Sequence, residues 1–485
     1  MQGNKKNISL NYIINTLYQL LSVLVPVIIL PRLSRALGAE GIGLYGFNNS
    51  IVSYFVLFAS FGSSVFGQRE VAYCRESKEE LSKVFKEVQS FRTITSIVSL
   101  CLYIIYVVAF GKNKIILIIL SFCIINVILD ISWFWTGLEE FQRLATRFLF
   151  VKVIYICYIF LFIRTPSDIY KYVLGEVLLG GFSYILLWGG LKKVLIKVGK
   201  VNPFRHARTI INLFIPSIAI QLYTVLDKTM LGIFSVNSYA ENGYYEQAQG
   251  VIKSCLIIVT SLATVMSPTI SACYIKNDKE DLKKYLYVSY RYVWFVTVAL
   301  TFIISSVAPL LMPLFLGKEF IKTALLLRIC SPLFIIIGLS NITGLQYFVP
   351  CNKVTQYTTS LICGSIINLG FNLILIPKYQ AAGASIASVV AEFFVTLVQF
   401  IFVFKIGDLK VSHILRFSIK YLCAGVVATI FSTTVITLLP YGWITLIIAI
   451  IVGLFTYLLT LFILRDKLLL GLFKERTLLP LKIEA

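Results

Sequence analysis

Fourteen runs of apolar residues, each near the roughly 20 needed to cross about 30 Å of hydrocarbon as a helix, divide this 485-residue chain from end to end. They cover residues 10–30, 43–66, 91–110, 115–135, 148–163, 173–190, 210–234, 244–268, 290–313, 324–347, 356–376, 383–404, 414–438 and 441–463. Lipid offers no partner to a bare backbone N–H or C=O, so such runs must be helices unless strands close a barrel. The period-2 alternation of a barrel is absent from the sequence. With 58% hydrophobic and 14% charged residues, a water-soluble core could not hide this surface. The expected fold class is an all-α polytopic membrane protein with about 14 transmembrane helices. The first run follows Lys5 and Lys6 as in a signal peptide, but it is too long and no small-x-small cleavage site follows, so it counts as span one.

The net charge of +21 invites a nucleic-acid partner until the cations are placed on this topology. With the N-terminus inside, inner segments hold 27 Lys and Arg, outer loops hold 9, and the remaining 8 lie within spans. That bias puts both termini in the cytoplasm. The charge is a topology signal, with membrane lipids, through their anionic headgroups, as partners and no nucleic acid. Ten cysteines sit mostly within expected helices without a C-x-x-C, which predicts free, buried thiols. The two histidines, His206 and His413, fall in inner loops, so no histidine-built metal site is expected, and no cofactor is called for.

A shift of about 200 residues lays Gly43, Tyr45, Val65 and Ala72 on Gly243, Tyr245, Val265 and Ala272. One residue of slippage pairs Ala39-Glu40 with Ala240-Glu241, and Lys78 to Leu81 with Lys279 to Leu282. The best-matched spans, two and eight, are six apart, and an even separation gives both copies the same orientation. A parallel repeat is the expected result, a common build of secondary transporters. The expected domains are an N-terminal lobe over 1–190 (spans 1–6), a basic cytoplasmic linker over 191–209, a C-terminal lobe over 210–404 (spans 7–12), two extra spans over 405–463 and an amphipathic cytoplasmic tail over 464–485. Lys192, Lys193, Lys197, Lys200, Arg205 and Arg208 make the linker basic.

Polar stripes mark four of the spans. Span one carries Asn11, Asn15 and Gln19 at i, i+4 and i+8, with Tyr18 and Ser22 beside them; span two carries Tyr45, Asn49 and Ser53. Span seven offers Gln221, Thr224 and Lys228, and span eight offers Tyr245, Gln249 and Lys253. Such stripes line a hydrated cleft or bond helix to helix. Lys253 lies nine residues, or roughly 14 Å, into span eight, a depth that costs a lysine on the order of 3 kcal/mol. It either faces substrate and water or pairs with Glu392 at similar depth in span twelve. Asp227, Glu392 and Asp130 are the candidates for exchanging a coupling ion. Arg328 and Lys152, each about one turn from a span end, suit snorkelling. Pro26 and Pro216 fall inside spans one and seven, where a missing N–H permits bending.

Several segments resemble the polysaccharide-repeat flippases of the Wzx type. They are Leu30-Pro31-Arg32, Leu37-Gly38-Ala39-Glu40-Gly41-Ile42-Gly43-Leu44-Tyr45, Asp227-Lys228-Thr229-Met230-Leu231-Gly232, Gly243-Tyr244-Tyr245 and Gly383-Ala384-Ser385-Ile386-Ala387-Ser388. The resemblance implies two six-helix lobes in the superfamily of MATE exporters and lipid II flippases. It also implies a bacterial inner (plasma) membrane location and no enzymatic step. The implied activity moves an undecaprenyl-pyrophosphate-linked oligosaccharide to the outer leaflet by alternating access, for capsule, exopolysaccharide or O-antigen synthesis, with polysaccharide polymerase machinery as a possible partner. Lipid II flippases hold the pyrophosphate with cations on helices one, two and eight. Here only Lys253 matches, Ser53 stands on span two and span one has no cation before Arg32, which argues against lipid II as cargo. The competing readings are a cation-coupled multidrug exporter, whose cleft should centre on carboxylates, and a membrane polymerase or glycosyltransferase, which would need a substantial outer loop.

Overall fold

A computed structural model describes residues 5–475, apart from the side chains of 5–23, of 472–475 and of a few positions in 212–223 and 264–265. The elements in order are α1 (Lys5–Ser60), α2 (Ser63–Cys74), α3 (Lys78–Phe110), α4 (Lys114–Leu129), α5 (Ser132–Gly137), α6 (Phe141–Phe162), α7 (Ile169–Ile185), α8 (Leu191–Val194) and α9 (Ala207–Phe234). They continue with α10 (Ser238–Ile275), α11 (Lys279–Leu316), α12 (Ile321–Cys330), α13 (Leu333–Asn341), a π-helical stretch (Ile342–Phe348), α14 (Val354–Ile406), α15 (Val411–Arg416), α16 (Ser418–Leu438), α17 (Trp443–Ile463) and α18 (Lys467–Glu475). The fold is all-helical, as the apolar runs require, and the chain is a multi-pass membrane protein.

Among the described residues ten helices are long and apolar enough to cross a membrane, or eleven if Lys318–Cys330 and Leu333–Phe348, bent by 47°, form one span. That is fewer than the fourteen runs read from sequence. Part of the difference is geometric. α1 and α14 have 56 and 53 residues, about 80 Å each as straight rods, too long for one crossing. Each is broken at a single non-helical residue, Gly38 (φ 69°, ψ 177°) and Gln380 (φ 54°, ψ −128°), where the sequence places the loops after spans one and eleven. The seventh run coincides with α9, part of whose side chains lie outside the description.

The chain packs as two compact units, residues 1–232 with 237–243, and residues 233–236 with 244–485. In the first, α1 packs on α3, α4 and α6, and α4 on α7. One end of it holds an aromatic core of Phe66, Phe85, Phe91, Trp133, Phe134 and Trp135. In that core Arg92 is 2% exposed and spends its guanidinium on three partners: the Val127 carbonyl (2.7 Å), Ser64 Oγ (2.6 Å) and the Asp130 carboxylate (3.3 Å). The first turns of α1's second half and of α10 meet backbone to backbone. A Cβ built on Gly43 would lie 1.6 Å from the Tyr239 carbonyl oxygen, and one on Gly243 would lie 1.9 Å from that of Ala39.

In the second unit α11 is central, packing on α12, α13, α16 and α17. Asp278 caps its N-terminus by accepting from the Asp281 N–H (3.0 Å). From before α14, Lys353 Nζ reaches Asp408 after it (2.7 Å), and the Tyr347 hydroxyl donates to the same carboxylate (2.6 Å). Burial opposes ionisation of Asp408, but Lys353 and Tyr347 outweigh it and hold the carboxyl below its ordinary range. Arg291 binds Asp466 (2.7 Å), whose other oxygen accepts from Leu468 N–H and Leu469 N–H at the start of α18. Leu468 and Leu469 are buried against the unit; the tail beyond residue 475 lies outside the described residues.

All ten cysteines are free, as expected, but only Cys330 and Cys351 are buried, and Cys101, Cys157 and Cys423 are exposed. The expectation of burial fails because a membrane helix turns much of its apolar face to lipid, so lying in a span does not place a residue inside the protein.

Candidate substrate site

Polar seams run near several of the residues singled out from the sequence, one within each unit. In the first unit, α9 is tied to α1 by Thr229, whose hydroxyl donates to Ser50 Oγ (2.9 Å) and lies 3.0 Å from the Tyr54 hydroxyl. Asp227 is 5% exposed and acts electrostatically on Tyr54. Lys228 is half-buried and its carbonyl accepts from Asn242 (2.7 Å). Gln221 is half-buried, and exposed Thr224 donates to the Gln221 carbonyl (3.2 Å). On α1 the side chain of Ser53 turns back to the Asn49 carbonyl (2.7 Å). The residues that bond across the seam are therefore Ser50 and Tyr54, each one position past the Asn49 and Ser53 picked from sequence. A step of one residue rotates a helix by about 100°, enough to move a side chain from a seam to its flank. Asn15 and Gln19, with Asn11, Tyr18 and Ser22, lie outside the described residues.

The second seam joins α10 to α14 and α12. Tyr245, 4% exposed, lies 2.9 Å from Ser388 Oγ, and Gln249 donates to the Tyr245 hydroxyl (3.2 Å) and approaches Cys330 Sγ (3.8 Å). These two predicted site residues thus bond helix to helix inside the unit, where burial makes satisfied polar contacts necessary. Lys253, one turn beyond Gln249, is exposed. Glu392, one turn beyond Ser388 on α14, is half-buried. Along their helices Glu392 lies about 6 Å and Lys253 about 12 Å from the Tyr245–Ser388 bond.

Asp130 is remote in sequence and role from both seams. It ends α4 with its carboxylate on Arg92 and on the Ser132 N–H (2.9 Å), a structural partner set the sequence did not suggest. Glu176 is an acid the sequence reading missed. Half-buried in α7, it is hydrogen-bonded to Tyr155, itself 8% exposed, while its second carboxylate oxygen is buried with no hydrogen-bond partner. Its signal was available: a lone carboxylate three residues into a run as apolar as 173–190. No group of three or more His, Cys, Asp or Glu suited to a metal ion occurs among the described residues.

Residues 9–274, more than half of the chain, match the family described as polysaccharide biosynthesis protein. The chain belongs to that family. Two relatives carry the name "Putative O-antigen transporter": one from Escherichia coli (strain K12) is 24% identical over 83% of this chain and 98% of its own length. The other, from Shigella dysenteriae, is 21% identical over 81% of this chain and 98% of its own. Among solved structures, the lipid II flippase MurJ in its inward closed conformation aligns over 94% of this chain and 99% of its own, with TM-score 0.71 and 16% identity. An inward-facing multidrug resistance MATE transporter of the MOP superfamily aligns over 82% and 96%, with TM-score 0.62 and 14% identity. At such identities the likeness is one of fold alone. In this polysaccharide biosynthesis protein Tyr245 and Asp227 are buried and Gln249 is half-buried, and among the described residues Lys253 and Thr224 are the exposed members of the predicted site.

Proposed function

We propose that this chain is a flippase that carries an oligosaccharide repeat unit, linked to undecaprenyl pyrophosphate, from the inner to the outer leaflet of the bacterial inner membrane, by alternating access between two parallel-repeat lobes and without bond chemistry of its own. The observation that carries this reading is its resemblance to O-antigen transporters over nearly their whole length. Physical chemistry supports it. A diphosphate moving through a bilayer needs a cation, and Lys253 offers an exposed one deep in a span. Asp227 and Glu392 are the proposed sites of ion exchange, and a polysaccharide polymerase the proposed partner. A bacterial strain lacking the chain should accumulate lipid-linked repeat units in the inner leaflet with unchanged drug sensitivity; the converse pattern would point to a drug exporter instead.

In that strain, Lys253→Ala should restore at most about a tenth of repeat-unit export at normal membrane abundance, because a lost charge-assisted contact is worth about 1.5–3 kcal/mol. Lys253→Arg should restore part of it, the charge being kept. If Lys253 only neutralises Glu392, the double change Lys253→Ala with Glu392→Ala will recover export, and the substrate role fails. The cytoplasmic placement of both termini rests on the positive-inside bias. Cysteine labels at Lys197 and Asn277 should react only from the cytoplasm and one at Asn237 only from outside. Inside labelling of Asn237 would reverse the topology.

A further inference from the structure

At the start of α6 and the end of α7 the first unit holds a cavity of about 480 Å³. Arg143, Arg147, Gln142 and Thr146 line it together with the apolar Phe150 and Leu186; Glu140, an exposed carboxylate, also borders it. Arg143 does not swing freely. Its guanidinium lies 3.7 Å from the Trp135 ring and donates to the Gly189 carbonyl (3.1 Å). That is its one hydrogen bond among the described residues, and it leaves a rigid fork of further N–H donors. Arg147 lies over the Tyr184 ring at 5.7 Å. Phe150 is 54% and Leu186 39% exposed, apolar side chains that in a spanning protein face acyl chains. In the orientation proposed above, α6 enters the hydrocarbon here from the cytoplasm, with Phe150 about 4.5 Å beyond Arg147 along the helix.

Two pre-oriented guanidinium groups, outnumbering one carboxylate and followed within a turn by an apolar wall, match an anionic lipid from headgroup to chain. We propose that this cavity seats the phosphate of an anionic phospholipid of the inner leaflet, with Arg143 and Arg147 on the phosphate oxygens and an acyl chain against Phe150 and Leu186. Bidentate geometry and the aromatic supports favour phosphate over a loosely attracted counter-ion. A purely solvated basic surface would leave these side chains extended into water. The site draws on the cytoplasmic orientation of α6 but not on the transport reading.

The test uses the full chain, purified in detergent and titrated with phosphatidylglycerol or phosphatidylcholine of the same chain length, with retention read by native mass spectrometry and stabilisation by the melting temperature. Phosphatidylglycerol should be retained and raise the melting temperature, and phosphatidylcholine should do neither. Arg147→Gln, and Arg143→Lys, which keeps the charge but loses the fork, should each weaken phosphatidylglycerol retention several-fold without changing the lipid-free melting temperature. Lys192→Gln with Lys193→Gln, cations outside the cavity, should leave it unchanged. Equal loss in that control pair would overturn the proposal in favour of a diffuse basic surface. Retention of undecaprenyl pyrophosphate but not phosphatidylglycerol, lost in Arg147→Gln, would overturn the phospholipid assignment. Export measured in the same variants separates this site from the flippase reading, since retention can fall while export stands.

Discussion

Gly43→Ala and Gly243→Ala should each leave little folded protein in the membrane. At Gly43 the added carbon would stand 1.6 Å from the Tyr239 carbonyl oxygen, and contacts of a Cβ below 3.0 Å essentially never occur. Both atoms belong to the framework of a helix, so no side chain can rotate to relieve the overlap, and the two helix starts must part by more than an ångström. Overpacking of a flexible core costs about 1–3 kcal/mol, and an overlap against backbone belongs above that range. The partners that hold these turns in place, the Asn113–Tyr239 bond (2.7 Å) and the Phe47–Tyr239 ring contact, would be strained together. Gly370→Ala is the control: nothing lies within 4 Å of a Cβ there, and alanine favours a helix by about 1 kcal/mol over glycine. Detergent-extracted yield and melting temperature should fall sharply for the first two variants and hold or rise for the third. A Gly43→Ala protein as stable as the parent would show that the close approach is not part of the fold.

Replacing Arg92 should be almost as damaging, for an electrostatic reason. Arg92→Met keeps most of the side-chain volume but strands the Val127 carbonyl, Ser64 and, above all, the carboxylate of Asp130, which is 18% exposed. Removing one member of a buried pair costs about 3–5 kcal/mol because the other charge is left without compensation, a large fraction of the stability of a typical folded domain. Asp130→Asn should cost less, since its amide oxygen still accepts from one of the guanidinium and the Ser132 N–H, which in the parent use different carboxylate oxygens. Arg92→Met combined with Asp130→Leu should regain part of the loss by removing the orphaned charge. Melting temperature and membrane abundance read the series; an undisturbed Arg92→Met protein would sink the account.

The all-helical membrane fold was legible because the bilayer sets a length that apolar runs must match, but the fourteen runs stand against ten or eleven candidate crossings among the described residues. The breaks between them were harder to see, since Gly38 and Gln380 turn the chain within one residue. The polar stripes were legible as polar, but not by direction. Tyr245 and Gln249 have the spacing of a water-lined face and instead bond to Ser388 and Cys330, because a satisfied seam and a wet wall recruit the same residue types. Arg92 escaped notice because two of its three partners, a backbone carbonyl and a serine, carry no charge signal. Lys253 was picked from depth alone and is exposed.

The two close glycine contacts are the same contact made twice. Gly43 meets residue 239 and Gly243 meets residue 39, and a shift of 200 in the numbering carries the one pair into the other. Such reciprocity is what a self-complementary patch gives when two identical chains meet across a two-fold axis. Within this one chain the two contacts are separate constraints, since an added carbon at either glycine meets backbone on its own.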